Sequence, residues 1–70
     1  MKNSIKRRRK VLKLSQEELA QLTKVTRQTI NAIENDKYDP SLILAFKLAH
    51  QLHTTVNALF DYQENEEDLK

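Results

Sequence analysis

The sequence has no cysteine, no glycine, no tryptophan and a single proline, Pro40. Without cysteine, disulfides and thiolate metal sites are excluded, and a reducing cytosol is compatible. Without glycine there is no glycine-rich loop to cradle a phosphate. No apolar run is long enough to cross a bilayer, and Met1 to Lys13 is basic with no apolar stretch following it, so no signal-peptide pattern is present. A soluble, cytoplasmic chain is expected. His50 and His53 stand three apart with no acidic residue at ligand spacing nearby, so no metal or cofactor is expected. Ser, His and Asp all occur, yet nothing resembles a nucleophile turn or a paired-carboxylate site, and enzyme activity is not expected.

What is present is charge with a gradient. Seventy residues allow one domain with a limited core, which makes association with a partner plausible. The net charge of +2 conceals an N-terminal block, residues 1–13, with seven Lys or Arg and no acid. Residues 14–60 sum to −1 and residues 61–70 to −4, which closes the total at +2. A basic run of this kind is a solvated helix face, a membrane-surface patch or a phosphate anchor, and composition alone does not choose.

The stretch Ser15 to Lys37 reads as two short helices joined by a tight turn. Ser15 can cap the first, with its hydroxyl on the amide of Glu18 while Glu18 reaches back to the Ser15 amide. Leu19, Ala20, Thr23, Val25, Ile30 and Ile33 are the inward positions, and small Ala20 lets the helices cross closely. Thr26 can cap the second helix, which puts Arg27, Gln28 and Thr29 in its first turn with their side chains outward. Arg can bond guanine through two donors, and Gln can bond adenine as donor and acceptor.

These residues resemble the phage-repressor and Cro-like (Xre) helix-turn-helix domains over roughly residues 5 to 60. The specific parts are Ser15-Gln16-Glu17-Glu18-Leu19-Ala20, Thr26-Arg27-Gln28-Thr29-Ile30, and Ile33-Glu34-Asn35-Asp36-Lys37 followed by Pro40-Ser41-Leu42. The chain is most similar to the small free-standing type, such as the cytolysin-operon repressor. The resemblance implies an all-α domain of five helices, residues 1–62, while the stretch 63–70 has little to bury and many acids, which predicts an acidic flexible tail. It also implies a short antiparallel pairing of Met1 to Ser4 with Phe60 to Gln63.

Functionally, the resemblance implies a sequence-specific transcriptional regulator of double-stranded DNA, most simply a repressor, working as a homodimer on a palindromic operator with no small-molecule ligand and no membrane. The third helix would enter the major groove and the second lie across it. Arg27, Gln28, Thr29 and Asn31 are the base-reading candidates, and Ala32 stands where some relatives carry a polar reader. Ser15, Gln16, Thr26, Asn35, Lys37 and Tyr38 are the phosphate candidates, and Gln16 can also brace Arg27. In related repressors an arginine at the position of Arg9 pairs with the glutamate that here is Glu34. The family commonly places glycine, in the left-handed conformation, where this chain has Lys13, Lys24, Asp36 and His53. Many members have an apolar residue where Arg8 stands. An antitoxin-like or partner-binding module and a membrane-surface basic helix are the alternatives.

The flanking segments read as follows. Asn3 or Ser4 can start a first helix running to about Leu12, with Ile5, Leu12 and Arg9 near one face. Tyr38-Asp39-Pro40 is an extended connection, and Ser41 caps a fourth helix. Leu42, Leu44, Ala45, Phe46, Leu48, Ala49 and Leu52 fill more than one stripe of it, which predicts packing on two sides with Ile43 left over outside. Thr55 caps a last helix, Val56 to about Phe60. The expected dimer surface is Val56, Asn57, Leu59, Phe60 and Tyr62, unless Val56, Leu59 and Phe60 instead close the monomer's core.

Overall fold

Four of the helix starts follow from a hydroxyl side chain placed three residues before a backbone amide. In the computed structural model, which describes residues 1–61, Ser15, Thr26, Ser41 and Thr55 each accept from the amide three residues on, which satisfies one orphan N–H of the first turn. At Ser15 the capping box is complete: the Glu18 amide donates to Ser15 Oγ at 3.0 Å, and the Ser15 amide donates to Glu18 Oε1 at 3.0 Å. The elements run β1 (Lys2–Asn3), α1 (Ile5–Val11), α2 (Gln16–Thr23), α3 (Arg27–Glu34), α4 (Leu42–Gln51), α5 (Val56–Leu59) and β2 (Phe60–Asp61). The strands pair antiparallel, Lys2 with Asp61 and Asn3 with Phe60, as expected for the two ends of this domain. The part of the expected strand beyond Asp61, and the acidic stretch 63–70, lie outside the described residues.

The start of α1 works differently from the other four. Ser4 makes no side-chain cap. Asn3 Oδ1 takes the Ile5 amide at 3.1 Å, while Ser4 Oγ accepts from Arg8 Nε at 2.9 Å and faces the Leu59 carbonyl. That gives the unexpected Arg8 a half-buried place one turn along from Ser4. The helix ends at Val11, with Leu12 as its cap.

The chain turns at four left-handed residues, Lys13, Lys24, Asp36 and His53, with φ of 58, 61, 61 and 57°. After each, the next amide reaches back five residues: Leu14 to Arg9, Val25 to Ala20, Lys37 to Ala32, Thr54 to Ala49. This six-to-one bond is the closing bond of a Schellman cap, and it satisfies a helix carbonyl that would otherwise be orphaned. A Cβ in this conformation is unfavourable, so the glycine-free sequence carries strain at all four sites.

Ile5, Leu19, Ile30, Ile33, Leu48 and Leu59 are fully buried and meet in one core with Ala20, Ala45, Ala49, Leu44, Leu52 and Phe60. Each large apolar side chain buried in this way contributes on the order of 1.5–3 kcal/mol. Thr23 is also fully buried, because its hydroxyl is satisfied by the Leu19 carbonyl at 2.8 Å within its own helix.

The expectation for α4 needs correction: it is packed on one side. Leu44, Ala45, Leu48 and Ala49 face inward, followed by Leu52 at its cap, while Leu42, Ile43 and Phe46 are 69%, 71% and 60% exposed. The reason is geometric. At 100° per residue, positions 42, 43 and 46 share one arc of the helix, and no described element covers that arc.

Candidate nucleic-acid interface

The α2–α3 pair is locked by residues whose spacing leaves one face of α3 outside. Ile30 and Ile33 point into the core, and Leu19 and Ala20 of α2 meet them there. Arg27, Gln28, Asn31 and Asn35 lie at 0, 100, 40 and 80° around α3 when counted from Arg27, so they form a single polar face, and all four are exposed. Thr29, the fourth base-reading candidate, is half-buried on another side, where its hydroxyl meets that of Thr26 at 3.0 Å. Gln16, Glu17, Arg27, Gln28 and Asn31 line a shallow polar depression between the two helices.

Beneath this face lies an ion pair. Arg9 Nε donates to Glu34 Oε2 at 2.8 Å and Nη2 to Oε1 at 3.3 Å, while Nη1 donates to the Leu14 carbonyl at 2.8 Å. The two side chains are 10% and 2% exposed. Arg9 is therefore committed inside the fold, and of the basic block it is Lys2, Lys6, Arg7, Lys10 and Lys13 that stand exposed.

Sequence reasoning placed Gln16 beside Arg27 but missed how the ion pair itself reaches the surface. Gln16 Nε2 donates to Glu34 Oε1 at 3.0 Å and to Asn31 Oδ1 at 3.2 Å, and Gln16 Oε1 faces Arg27 Nε at 3.4 Å. From the other side Asn35 Nδ2 donates to the Asn31 carbonyl at 2.8 Å and to Asn31 Oδ1 at 3.0 Å. Of the six phosphate candidates, Gln16 and Asn35 thus already have their amide nitrogens engaged. Ser15 and Thr26 serve as helix caps, and Lys37 and Tyr38 are exposed just beyond α3. The Glu18 carboxyl is held below its ordinary value, first by the Ser15 backbone amide and then by the Ser15 hydroxyl.

Asn3, a candidate for the start of α1 that does take the Ile5 amide, has a second role that sequence reasoning missed. Its Nδ2 donates to the Ile33 carbonyl at 2.8 Å and lies 3.4 Å from Asp36 Oδ1, tying β1 to the end of α3. No local signal marks these two contacts, since the partners lie 30 or more residues away.

The candidate dimer surface divides. Leu59 and Phe60 are buried in the monomer's own core, so the competing expectation describes those two. Val56 is half-buried against that core, Asn57 is exposed, and Tyr62 lies outside the described residues. Met1, Pro40, Leu42, Ala45, Val56 and an edge of Phe60 line a shallow groove beside them.

Among the described residues no group of three or more His, Cys, Asp or Glu could hold a metal ion, and no helix is long and apolar enough to cross a membrane.

A helix-turn-helix family model (HTH_3) matches residues 5–59. An uncharacterized HTH-type transcriptional regulator of Methanocaldococcus jannaschii is 48% identical over 66 residues, covering 94% of this chain and 100% of the relative. Among solved structures, the restriction-modification controller protein C.AhdI from Aeromonas hydrophila superposes with a TM-score of 0.74 at 32% identity, over 80% of this chain and 85% of that one. The hydroxypropylphosphonic acid epoxidase from S. wedmorenis superposes with a TM-score of 0.75 at 32% identity over 89% of this chain, which spans only 33% of the epoxidase.

Proposed function

Because the chain belongs to the helix-turn-helix family of DNA-binding transcriptional regulators, which is not a family of enzymes, we propose that it is a repressor that inserts α3 into the major groove and binds a palindromic operator as a homodimer. The observation that carries this is the division of α3 itself. Ile30 and Ile33 anchor the helix, while Arg27, Gln28 and Asn31 stand exposed together on the opposite side. Those three side chains match base edges, with Arg suited to guanine and Gln to adenine. Lys37 and Tyr38, with Ser15 and Thr26 at the starts of α2 and α3, then grip phosphates and fix the register.

A single module of this size contacts few base pairs, and two copies related by a dyad double the readout. The dyad sets the two copies of α3 about 34–36 Å apart, in successive major grooves. With Leu59 and Phe60 committed to the core, the contact surface is Val56 and Asn57 together with exposed Leu42 across the groove that Met1 and Pro40 border. Repression then follows from covering a promoter.

Selection of bound sequences from random duplexes tests this directly. A palindromic consensus with half-sites one helical turn apart is expected, and recovery of unselected sequence would refute it. A wild-type monomer in sedimentation that binds one half-site as tightly as a palindrome would refute the dimer alone.

A further inference from the structure

The amides beside the reading face have a defined polarity, and it follows from two groups that can only accept. Glu34 Oε1 is a carboxylate oxygen already engaged by Arg9, so the Gln16 atom 3.0 Å from it must be the nitrogen. The Asn31 carbonyl is a backbone oxygen, so the Asn35 atom 2.8 Å from it must be the nitrogen as well. Both nitrogens then converge on one atom of the Asn31 side chain, at 3.2 and 3.0 Å. That atom has to be the oxygen. Turning the Asn31 amide would replace two hydrogen bonds by two donor–donor contacts, and neither neighbour can turn to compensate, because each is held by its own acceptor.

We propose that Asn31 reads DNA as a donor only, selecting a base that presents acceptors, guanine first, and that Gln16 and Asn35 are the positioning residues that impose this. The proposal rests on the reading of α3 as the groove-entering helix. Asparagine elsewhere is free to pair adenine with its oxygen on N6 and its nitrogen on N7. Here the oxygen is occupied from two sides, and among the described residues the Nδ2 hydrogens are unused. Guanine offers O6 and N7 side by side, both acceptors, whereas adenine offers the N6 donor at the place of O6. Arg27 is biased the same way. Its Nε faces Gln16 Oε1, so the two terminal nitrogens of the guanidinium remain for a base edge, again as donors. Gln28 has no such restraint among the described residues, and it alone of the three keeps both an acceptor and a donor for adenine.

The test uses the full chain and duplexes from the random selection described above. Asn31→Ala identifies the base pair under Asn31 as the one at which discrimination disappears. At that pair the wild type should prefer guanine over adenine by roughly tenfold or more in Kd. The double variant Gln16→Ala, Asn35→Ala should bring that ratio to within about threefold, since the amide can then turn. A role in folding alone would lower affinity for both bases equally and leave the ratio unchanged. Wild-type preference for adenine at this pair, or an unchanged ratio in the double variant, overturns the inference while leaving α3 as the reader. Absence of any base preference in the wild type overturns the proposed function, and the inference with it.

Discussion

Breaking the Arg9–Glu34 pair one side at a time should be far more damaging than removing it whole. The geometry sets the size of the effect: Glu34 is 2% exposed and takes three donors, Arg9 Nε, Arg9 Nη2 and Gln16 Nε2, at 2.8, 3.3 and 3.0 Å. In Arg9→Met the carboxylate keeps the Gln16 amide alone, and in Glu34→Leu the guanidinium keeps the Leu14 carbonyl alone. Either variant strands a charge out of water, at a cost of about 3–5 kcal/mol. A domain of 70 residues has on the order of 5 kcal/mol in total, so each single variant should be close to unfolding. The double variant Arg9→Met, Glu34→Leu strands no charge. It leaves only the Leu14 carbonyl and the Gln16 amide to find new partners, about 1–3 kcal/mol if they stay buried. The assay is urea unfolding of all four proteins, with a stabilising osmolyte such as trimethylamine N-oxide added equally to keep the single variants within range. The interaction energy of the cycle should exceed about 2 kcal/mol. Additive effects within about 0.5 kcal/mol, or single variants that each cost under about 1 kcal/mol as exposed pairs do, would refute the reasoning.

Lys24→Gly and His53→Gly should each stabilise the fold by up to roughly 1 kcal/mol, because glycine relieves the positive φ at both sites. That corresponds to a rise of about 4–8 °C in Tm, and unchanged or lower melting for both would count against strain there. Arg27→Ala and Gln28→Ala should cost roughly 1–3 kcal/mol on the selected site and much less on random DNA, measured by titration. Lys37→Ala should weaken both alike and make the salt slope shallower by about one unit. Asn57→Asp and Leu42→Glu should shift sedimentation toward the monomer without loss of helicity, whereas Leu59→Glu, aimed at a core position, should unfold the chain. Glu18 titrates below its ordinary value in the folded state. Its contribution is therefore complete above the ordinary unfolded value and is lost as pH falls through the lower folded value. The stability difference between wild type and Glu18→Gln should accordingly be flat at neutral pH and change only under acid.

The caps at Ser15, Thr26, Ser41 and Thr55, and the two faces of α3, were legible in the sequence because both are local. A hydroxyl acts on an amide three residues away, and helical spacing alone decides which side chains stand together. The four left-handed turns were visible only through the resemblance to relatives that carry glycine there, since nothing about lysine or histidine by itself marks such a site. The pairing of the terminal strands had the same origin. Other features were beyond sequence reasoning because they depend on what lies across the fold. Leu42 and Phe46 have the hydrophobicity of core residues, yet hydrophobicity states a preference for burial and does not supply an element to cover them. Whether Leu59 and Phe60 face a partner or close the core was left open by the sequence, and they close it because β2 returns to β1 at that point. Sequence by itself determined a helix-turn-helix and the residues it offers outward. Tertiary structure decided what those residues can donate or accept, because Gln16 meets Glu34 from 18 positions away and the acceptor-only carboxylate fixes the direction of every hydrogen bond between it and Asn31.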